Sequence, residues 1–260
     1  MNILEYEMIS VLTELKEKYG VFEIKAEFEA EGSRMEELMR LKDVTSSVDL
    51  PIILKIGGVE AVTDVYNGMA LGVHGIVAPM AETPYALSKF TDLIENFIAE
   101  DNAADIEFAV NIETITAYKN LDEMFSIHNI ANLSSVTVGR VDLVGSMGLN
   151  RSLINVSEEV ESICRDIFVK SKKRSLKTAL GGGIAKDALP IISRFNSENL
   201  IDKYETRKVV FPAESSKYGE ESILKAVEFE LLWLKSKKRY YSGVKSEDDK
   251  RIKMLESRLN

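Results

Sequence analysis

Short apolar runs alternate with longer, helix-like segments along most of the chain. The runs rich in Val and Ile predict strands, and they read VFEIKAEF, PIILKIGG, VHGIVAPM, EFAVNIET, SSVTVGRVD, SLKTALGGG and YETRKVVF. The segments between them predict helices near residues 34–47, 59–70, 84–99, 117–126, 157–173 and 185–195. Strict alternation of this kind is typical of parallel βα units.

Seven such strands fit either a doubly wound sheet or a (β/α)8 barrel in which one strand is not identified. Nearly every run ends, at its C-terminal side, in a charged or Gly-rich group. In a barrel these ends meet at one mouth, whereas an open sheet gathers only those at its switch point. The pattern therefore favours an α/β fold of the TIM-barrel type, with its eighth strand not located.

Helical segments flank a predicted barrel core of residues 21–212. Residues 1–19 have apolar positions at helical spacing, so they predict a helix that caps or plugs the barrel rather than the missing strand. Residues 220–260 predict further helices, of which the last is an outlying arm. No Pro, Gly or Ser-rich linker divides the chain, and we expect residues 1–260 to form one domain.

The segment 220–239 is amphipathic and ends in a basic cluster. The cluster is predicted to be a solvated helix end, with an anion site as the alternative. A broad apolar face covers either the barrel or a neighbouring subunit, and it consists of Leu224, Val227, Leu231, Trp233 and Leu234.

Composition narrows the class of protein. Of the 260 residues 45% are apolar, enough for a sizeable core, and the formal charge of -9 argues against nucleic acid as the main partner. No run approaches the roughly 18 apolar residues of a membrane span, and the first 20 residues do not resemble a signal peptide. We therefore expect a cytoplasmic protein with no nucleic acid or membrane partner. Its single cysteine, Cys164, is predicted to be a buried structural thiol.

The first predicted strand has one apolar face and one charged face. Glu23, Lys25, Glu27, Glu29 and Glu31 occupy successive odd positions, and the even positions between them are apolar. In a barrel, an inward face of this kind rises towards the mouth. The alternative is a solvated edge strand.

Two acids close neighbouring runs of the predicted barrel. Glu113 closes FAVNIE and Asp142 closes VTVGRVD. At adjacent points of a mouth the two carboxylates can share a hard cation, Mg²⁺ or Mn²⁺, because oxygen ligands suit such ions and no His or Cys accompanies the pair. The alternative is that they are helix N-caps or first-turn acids. His74 and His128 lack metal-ligand spacing and are assigned to structure.

Three segments resemble one enzyme family. FAVNIETITAYKNLDEM and VTVGRVDLVGSMGL are similar to the I-E-T and G-x-x-D-L-x-x-x-M-G segments of the HpcH/HpaI aldolase/citrate lyase family, and LGVHGIVAPMAETPYAL resembles its preceding P-M segment. The resemblance covers roughly residues 21–150. It implies a (β/α)8 barrel, a divalent metal held by Glu113 and Asp142, a 2-oxo acid that chelates this metal, and cleavage or formation of a C–C bond through an enolate.

Two positions depart from that family pattern. Family aldolases usually have an Arg, which contacts the oxo oxygen, where this chain has Lys55; Lys55 is expected to stabilise the enolate as a point charge. By the resemblance, Glu27 matches a Glu that organises waters around the metal, and Phe28 stands where the usual base, a His, is found. Glu29, Glu31 or Lys55 are the alternatives for proton transfer.

Two further features bear on substrate binding. Gly181, Gly182 and Gly183 stand between a strand and a helix, where they form either a backbone site for a phosphate or carboxylate or a tight turn with positive φ. Arg140 stands where the family commonly has Pro. It either brings a cation to the mouth or pairs with a loop acid.

The sequence thus predicts a homo-oligomeric, divalent-metal-dependent carbon–carbon lyase or aldolase that acts on a small 2-oxo acid or related carboxylate. A rival enzyme, such as a phosphonate mutase or thioester lyase, retains the metal and the enolate but acts on another bond. A rival of another class is a barrel that has lost catalysis and serves as a binding or scaffold subunit, which Phe28 and Lys55 suggest.

Overall fold

Eight strands close into a barrel, in the order β1 to β8 around the ring, in this computed structural model, which describes residues 1–259. The strands are β1 (Glu23–Glu27), β2 (Ile52–Lys55), β3 (Gly75–Ala78), β4 (Glu107–Ile112), β5 (Ser135–Gly139), β6 (Lys177–Gly181), β7 (Lys203–Glu205) and β8 (Val209–Pro212). The helices are α1 (Ile3–Tyr19), α2 (Met35–Ser46), α3 (Val62–Leu71), α4 (Pro84–Phe97), α5 (Glu100–Ala104), α6 (Ile115–Lys119), α7 (Leu121–Met124), α8 (Arg140–Ser146), α9 (Glu158–Lys172), α10 (Leu189–Ser197) and α11 (Glu220–Leu259). The expected TIM-type barrel is confirmed.

The eighth strand lies within YETRKVVF, which the sequence predicts as one strand. Strands β1 to β7 are parallel, but β8 runs antiparallel to both β7 and β1. Thr206 makes the turn: its hydroxyl accepts a hydrogen bond from the Val209 N–H at 3.1 Å, and its own N–H donates to the Val209 carbonyl at 2.9 Å. The single-strand prediction is wrong because the polar residues Thr206 to Lys208 form a hairpin turn.

The lumen contains a small apolar layer. Ile53, Val77, Ala109 and Val210 form a cluster that is separate from the main core. Val77 is the register partner of Lys55, which lines the mouth, so these side chains share the inward face. The other strand faces pack beneath the helices in the main core.

Charged side chains fill the rest of the lumen as a buried ion-pair network of Glu23, Lys25, Glu27, Lys203 and Glu205. Lys203 Nζ lies 2.9 Å from Glu23, and Lys25 Nζ lies 2.5 Å from Glu205 and 3.3 Å from Glu27. Burial acts to lower the pKa of Lys25, but Glu205 and Glu27 outweigh it and raise that pKa, so Lys25 stays charged. The acidic row of β1 is therefore an inward face whose carboxylates are paired, and not a solvated edge.

Helix α1 belongs to the outer layer of helices, where it packs beside α11 and α2. Asn2 caps it: the Asn2 side-chain oxygen accepts from the Glu5 N–H at 3.1 Å, and the Glu5 carboxylate accepts from the Asn2 N–H at 2.7 Å. Met8, Leu12 and Leu15 are fully buried in the main core. The expectation that this helix caps or plugs the barrel is wrong, since it lies beside α11 and α2 and strand side chains fill the lumen.

Helix α11 is a single helix of 40 residues, and not a set of shorter helices. The basic cluster therefore lies within the helix, which corrects its assignment to a helix end. Phe229 and Trp233 are buried on the inner side, whereas an outer stripe is about half exposed and consists of Leu224, Val227, Leu231 and Leu234. Of the predicted apolar face, only Trp233 covers the protein's own core. In the part of the chain that the structure describes, no helix is long and apolar enough to cross a membrane.

Candidate active site

A cavity of about 490 Å³ opens at the C-terminal ends of the parallel strands. A larger groove of about 610 Å³ lies outside the barrel, where α1, α2 and α11 meet. We assign the candidate active site to the mouth because buried carboxylates and lysines converge there. Of the residues predicted from the sequence, the mouth is lined by Glu27, Lys55, Glu113, Asp142, Gly181, Gly182 and Gly183.

Glu113 is the most constrained carboxylate of the mouth. It follows β4 and is buried, and its two oxygens accept hydrogen bonds from the Met80 N–H at 3.1 Å and from the Asn111 side-chain amide at 3.0 Å. Met80 has a φ of 48°, which a non-Gly residue adopts only at a cost. Lys55 Nζ lies 3.5 Å from the Glu113 carboxylate. A strained backbone and two donors thus fix this carboxylate in place.

Asp142 lies in the first turn of α8, since β5 ends at Gly139. Its prediction as a strand end is therefore wrong and the alternative, a first-turn acid, is confirmed, although its side chain still lines the mouth. Burial raises the pKa of Glu113; Lys55, Asn111 and Met80 act to lower it, and the nearby Asp142 raises it further, so the pKa lies above its usual value. Two neighbouring carboxylates of this kind favour a bound cation.

Asn111 supplies an observation by which a metal site can be tested. Its side-chain oxygen is buried and has no hydrogen-bond partner within residues 1–259, while its nitrogen donates to Glu113. An amide oxygen beside two carboxylates is a donor set that suits Mg²⁺ or Mn²⁺. The residues present therefore fit a hard divalent cation. Asn111 was not predicted, yet its spacing of two residues from Glu113 on a strand could have indicated a shared face.

Lys55 is held between two acids at the mouth. Its Nζ lies 2.8 Å from Glu29 and 3.5 Å from Glu113. Burial acts to lower the pKa of Lys55, but Glu113 and Glu29 outweigh burial, and the pKa lies above its usual value. Lys55 therefore stays a cation.

Glu27 also lines the mouth, but its carboxylate is paired with Lys25 at 3.3 Å. Burial acts to raise the pKa of Glu27, and Lys25 and Lys55 outweigh it, so the pKa lies below its usual value. Phe28, at the next position, packs against the main core and does not line the cavity. The side chain that follows Glu27 on the inward face is Glu29.

Arg140 does not reach the mouth as predicted, and it does not pair with an acid either. Its guanidinium is fully buried and donates to the Gly181 carbonyl at 3.3 Å, the Gly182 carbonyl at 2.8 Å and the Asn155 side-chain oxygen at 2.8 Å. Burial lowers its pKa to about 10. Arg140 is therefore a positioning residue that supports the glycine loop from behind.

The glycine loop is a turn that requires glycine at two positions. Gly182 and Gly183 have φ values of 73° and 66°. A β-carbon on Gly182 would lie 2.7 Å from the backbone nitrogens of Arg140 and Val141. The predicted turn is confirmed, and anion binding by this loop stays a prediction.

Two groups of three potential metal ligands lie away from the mouth: Glu23, His74 and Glu107, and Asp92, Glu95 and His128. In the first group Lys203 Nζ lies 2.9 Å from Glu23, and Lys177 pairs with Glu107, so each acid already has a lysine partner. In the second group two of the three residues are exposed. Neither histidine could be placed with its group from sequence spacing, because the members come from different elements.

Gly139 allows a test of Glu113 as a predicted metal ligand. A β-carbon at this position would lie 2.5 Å from Glu113 Oε2 and 2.9 Å from Glu113 Cβ. Gly139→Ala is therefore expected to displace the Glu113 carboxylate and to weaken Mn²⁺ binding by about 10- to 100-fold, measured by titration. Gly145→Ala is the matched control, because nothing lies within 4 Å of its added β-carbon. Equal affinities in the two variants would contradict the assignment.

The fold and the mouth together define an α/β barrel with an acidic, lysine-containing centre. No protein-family model matches the chain, and no curated protein matches it. Solved structures that are similar to it include a citrate synthase and two HpcH/HpaI-type proteins. The citrate synthase SbnG gives a TM-score of 0.63 at 15% identity, over 78% of this chain and 82% of that one.

An HpcH/HpaI aldolase from Desulfitobacterium hafniense DCB-2 gives a TM-score of 0.61 at 14% identity, over 76% of this chain and 81% of that one. An HpcH/HpaI aldolase/citrate lyase family protein from Burkholderia cenocepacia J2315 gives 0.61 at 14% identity, over 89% and 90% of the two chains. At these identities the likeness establishes the fold. It matches, at the level of the barrel, the resemblance found in the sequence segments.

Proposed function

We propose that the protein is a divalent-metal-dependent carbon–carbon lyase or aldolase that acts on a 2-oxo acid or a related carboxylate. The observation that carries the proposal is the convergence of Glu113, Asp142 and the unpartnered oxygen of Asn111 at the mouth, beside the charged Lys55. The likeness of the barrel to HpcH/HpaI aldolases supports the same class of reaction.

Glu113 and Asp142 would hold the metal, Mg²⁺ or Mn²⁺, with Asn111 as a further oxygen ligand. The Asp142 side chain is exposed, and within the described residues it has no hydrogen bond or ion pair that a cation would have to displace. When bound, such a cation withdraws electron density from the 2-oxo group and so favours carbanion chemistry at the adjacent carbon.

Lys55 supplies a fixed positive charge where negative charge develops on the substrate. Its raised pKa keeps it protonated, so its role is electrostatic and not that of a base. The ion pair with Glu29 at 2.8 Å holds the ammonium in place before substrate binds. A preorganised charge of this kind needs no rearrangement during the reaction.

Proton transfer falls to Glu29 in this proposal. Both Glu29 and Glu27 line the cavity and each is paired with a lysine, but the Glu29 side chain is 24% exposed and that of Glu27 only 8%. Phe28 packs against the main core and does not line the cavity, so it does not obstruct the mouth. The proposal therefore needs a carboxylate in place of the usual His base.

Arginines at the rim favour an anionic substrate. Arg151 and Arg207 line the cavity, and Arg207 contacts Glu31 only through Nε, at 3.2 Å. Its terminal nitrogens are therefore available to a carboxylate. A cavity of about 490 Å³ suits a small acid with one or two such groups.

Solvent exchange of the methyl protons of pyruvate tests the proposal. We expect exchange in D2O, followed by proton NMR, that requires Mn²⁺ or Mg²⁺ and that decreases in Lys55→Met and Glu29→Gln. Glu230→Gln is the control, because Glu230 lines the outer part of the same cavity from α11 and has no assigned role. Absence of exchange with several 2-oxo acids, despite bound Mn²⁺, would contradict the proposal and favour a binding or scaffold subunit.

A further inference from the structure

Helix α11 carries an outward apolar stripe that its own chain does not cover. Leu224, Val227, Leu231 and Leu234 follow one another at spacings of three and four residues, and each is between 48% and 59% exposed. When these alternating spacings of three and four residues are continued along α11, they reach apolar residues again at its end, namely Ile252, Leu255 and Leu259. This is the pattern of a coiled-coil seam.

The second half of α11 has no support from the barrel. From Ser242 to Leu259 every residue is exposed except Met254, which is half-buried. A helical segment of this length is marginal in water by itself, so its stability requires a partner for the apolar stripe. The stripe is polar near its middle, at Lys238, Lys245 and Asp248, and its Tyr241 is half-buried, with the hydroxyl donating to Glu37 of the same chain.

We infer that two copies of the chain associate through α11 as an antiparallel coiled coil, with the twofold axis at Gly243. This register places Val227 opposite the partner's Leu259, Leu231 opposite the partner's Leu255, and Leu234 opposite the partner's Ile252. Lys238 then faces the partner's Asp248, and Tyr241 faces the partner's Lys245. The seam is self-complementary, as a twofold dimer requires.

Other arrangements pair the seam badly. A parallel dimer in register places Lys238, Lys245 and Asp248 each against its own copy, so like charges meet in the core. An antiparallel dimer shifted by one heptad places Leu231 against the partner's Asp248 and Leu234 against the partner's Lys245. A shift by one heptad in the other direction pairs Lys245 with the partner's Asp248 but places Lys238 against the partner's Leu255. In the proposed register the end layers are apolar, Lys238 meets the partner's Asp248, and Tyr241 meets the partner's Lys245. The seam extends over about five heptads, more than the 3–4 that a coiled coil needs.

The dimer brings the partner to the mouth. Val227 and Glu230 line the cavity of the candidate active site. In the proposed register the last turn of the partner's α11 lies beside Val227, at the rim of that cavity. Each protomer therefore narrows the entrance to the other's active site. The inference does not depend on the reaction proposed above.

Sedimentation equilibrium of the full chain tests the association. The protein is expected to have twice its chain mass of 29.1 kDa. The variant Leu231→Glu with Leu234→Glu is expected to be a monomer that loses helical far-UV circular dichroism only from the exposed end of α11, while its barrel keeps a cooperative unfolding transition. Both positions are exposed, so these substitutions spare the core. A wild-type monomer at high concentration, or a variant that remains a dimer, would overturn the inference.

Charge reversal and cross-linking test the register. Lys238→Glu and Asp248→Lys are each expected to weaken dimerisation by about tenfold or more, and their combination to restore it. Leu234→Cys combined with Ile252→Cys is expected to form an interchain disulfide, whereas Leu234→Cys alone is not. The native Cys164 is buried and does not interfere. Failure of the charge swap to restore the dimer, or cross-linking by Leu234→Cys alone, would exclude the antiparallel register.

Discussion

Replacement of Glu113 by Gln is expected to abolish Mn²⁺ binding at the mouth and to lower metal-dependent proton exchange by about 100-fold or more. The variant keeps the shape of the side chain, and the Met80 N–H still finds an oxygen to bind. Asn111 can rotate its amide so that its unpartnered oxygen accepts from the new Gln. The site therefore loses charge and keeps its packing, so the effect reports on metal ligation.

A stability measurement makes this prediction independent of activity. The pKa of Glu113 lies above its ordinary value of 4.5, chiefly through burial, so the folded protein loses stability as pH rises through that raised pKa. Glu113→Gln removes this loss, and the metal-free variant should melt no lower than the wild type at pH 7.

Addition of Mn²⁺ should then separate the two proteins. At 100 times its dissociation constant, Mn²⁺ stabilises a protein by about 2.7 kcal/mol, which we expect for the wild type and for Glu230→Gln but not for Glu113→Gln. Calorimetry with and without Mn²⁺ measures the difference. Undiminished Mn²⁺ affinity of Glu113→Gln would exclude Glu113 as a ligand.

The barrel could be predicted from the sequence because seven apolar runs alternate with helical segments. This alternation does not depend on how individual side chains pack. The eighth strand could not be predicted, because it follows β7 after a three-residue turn and no helix precedes it. Thr206 makes that turn with its own hydroxyl, and a polar triplet between two apolar segments has the same appearance in a continuous strand.

The sequence predicts the position of a side chain in the site when that position depends only on its place along a strand. It does not predict the position when a hydrogen-bond partner distant in the sequence determines it. Glu113 and Lys55 stand at strand ends, so the topology alone brings them to the mouth. Arg140 is only one residue beyond β5, yet the carbonyls of Gly181 and Gly182 capture its side chain behind the loop. The local sequence around Arg140 does not indicate partners that are so distant along the chain.

The acidic row of β1 leads to the second large prediction, which concerns stability. Lys25→Met removes the cation that lies 2.5 Å from Glu205 and 3.3 Å from Glu27, and it leaves both carboxylates buried. We expect a loss of about 3–5 kcal/mol in the free energy of unfolding at pH 7, because breaking a buried ion pair exposes the full desolvation cost of the remaining charge. Urea unfolding followed by circular dichroism measures it.

The pH dependence and two further variants test whether the unpaired buried carboxylates cause this loss of stability. Because the pKa of Lys25 is raised, the stability that Lys25 contributes is fully present below pH 10.5, its ordinary pKa. Because the pKa of Glu27 is lowered, the stability that Glu27 contributes is lost as pH falls below its ordinary pKa of 4.5. The deficit of Lys25→Met should therefore shrink in acid, where the carboxylates become neutral. Glu205→Gln added to Lys25→Met should recover part of the loss, whereas Lys18→Met, which breaks an exposed pair with Glu221, should change little. A loss of stability in Lys25→Met below about 1 kcal/mol at pH 7, or one that increases in acid, would contradict the prediction. It would mean that water solvates the carboxylates in the lumen.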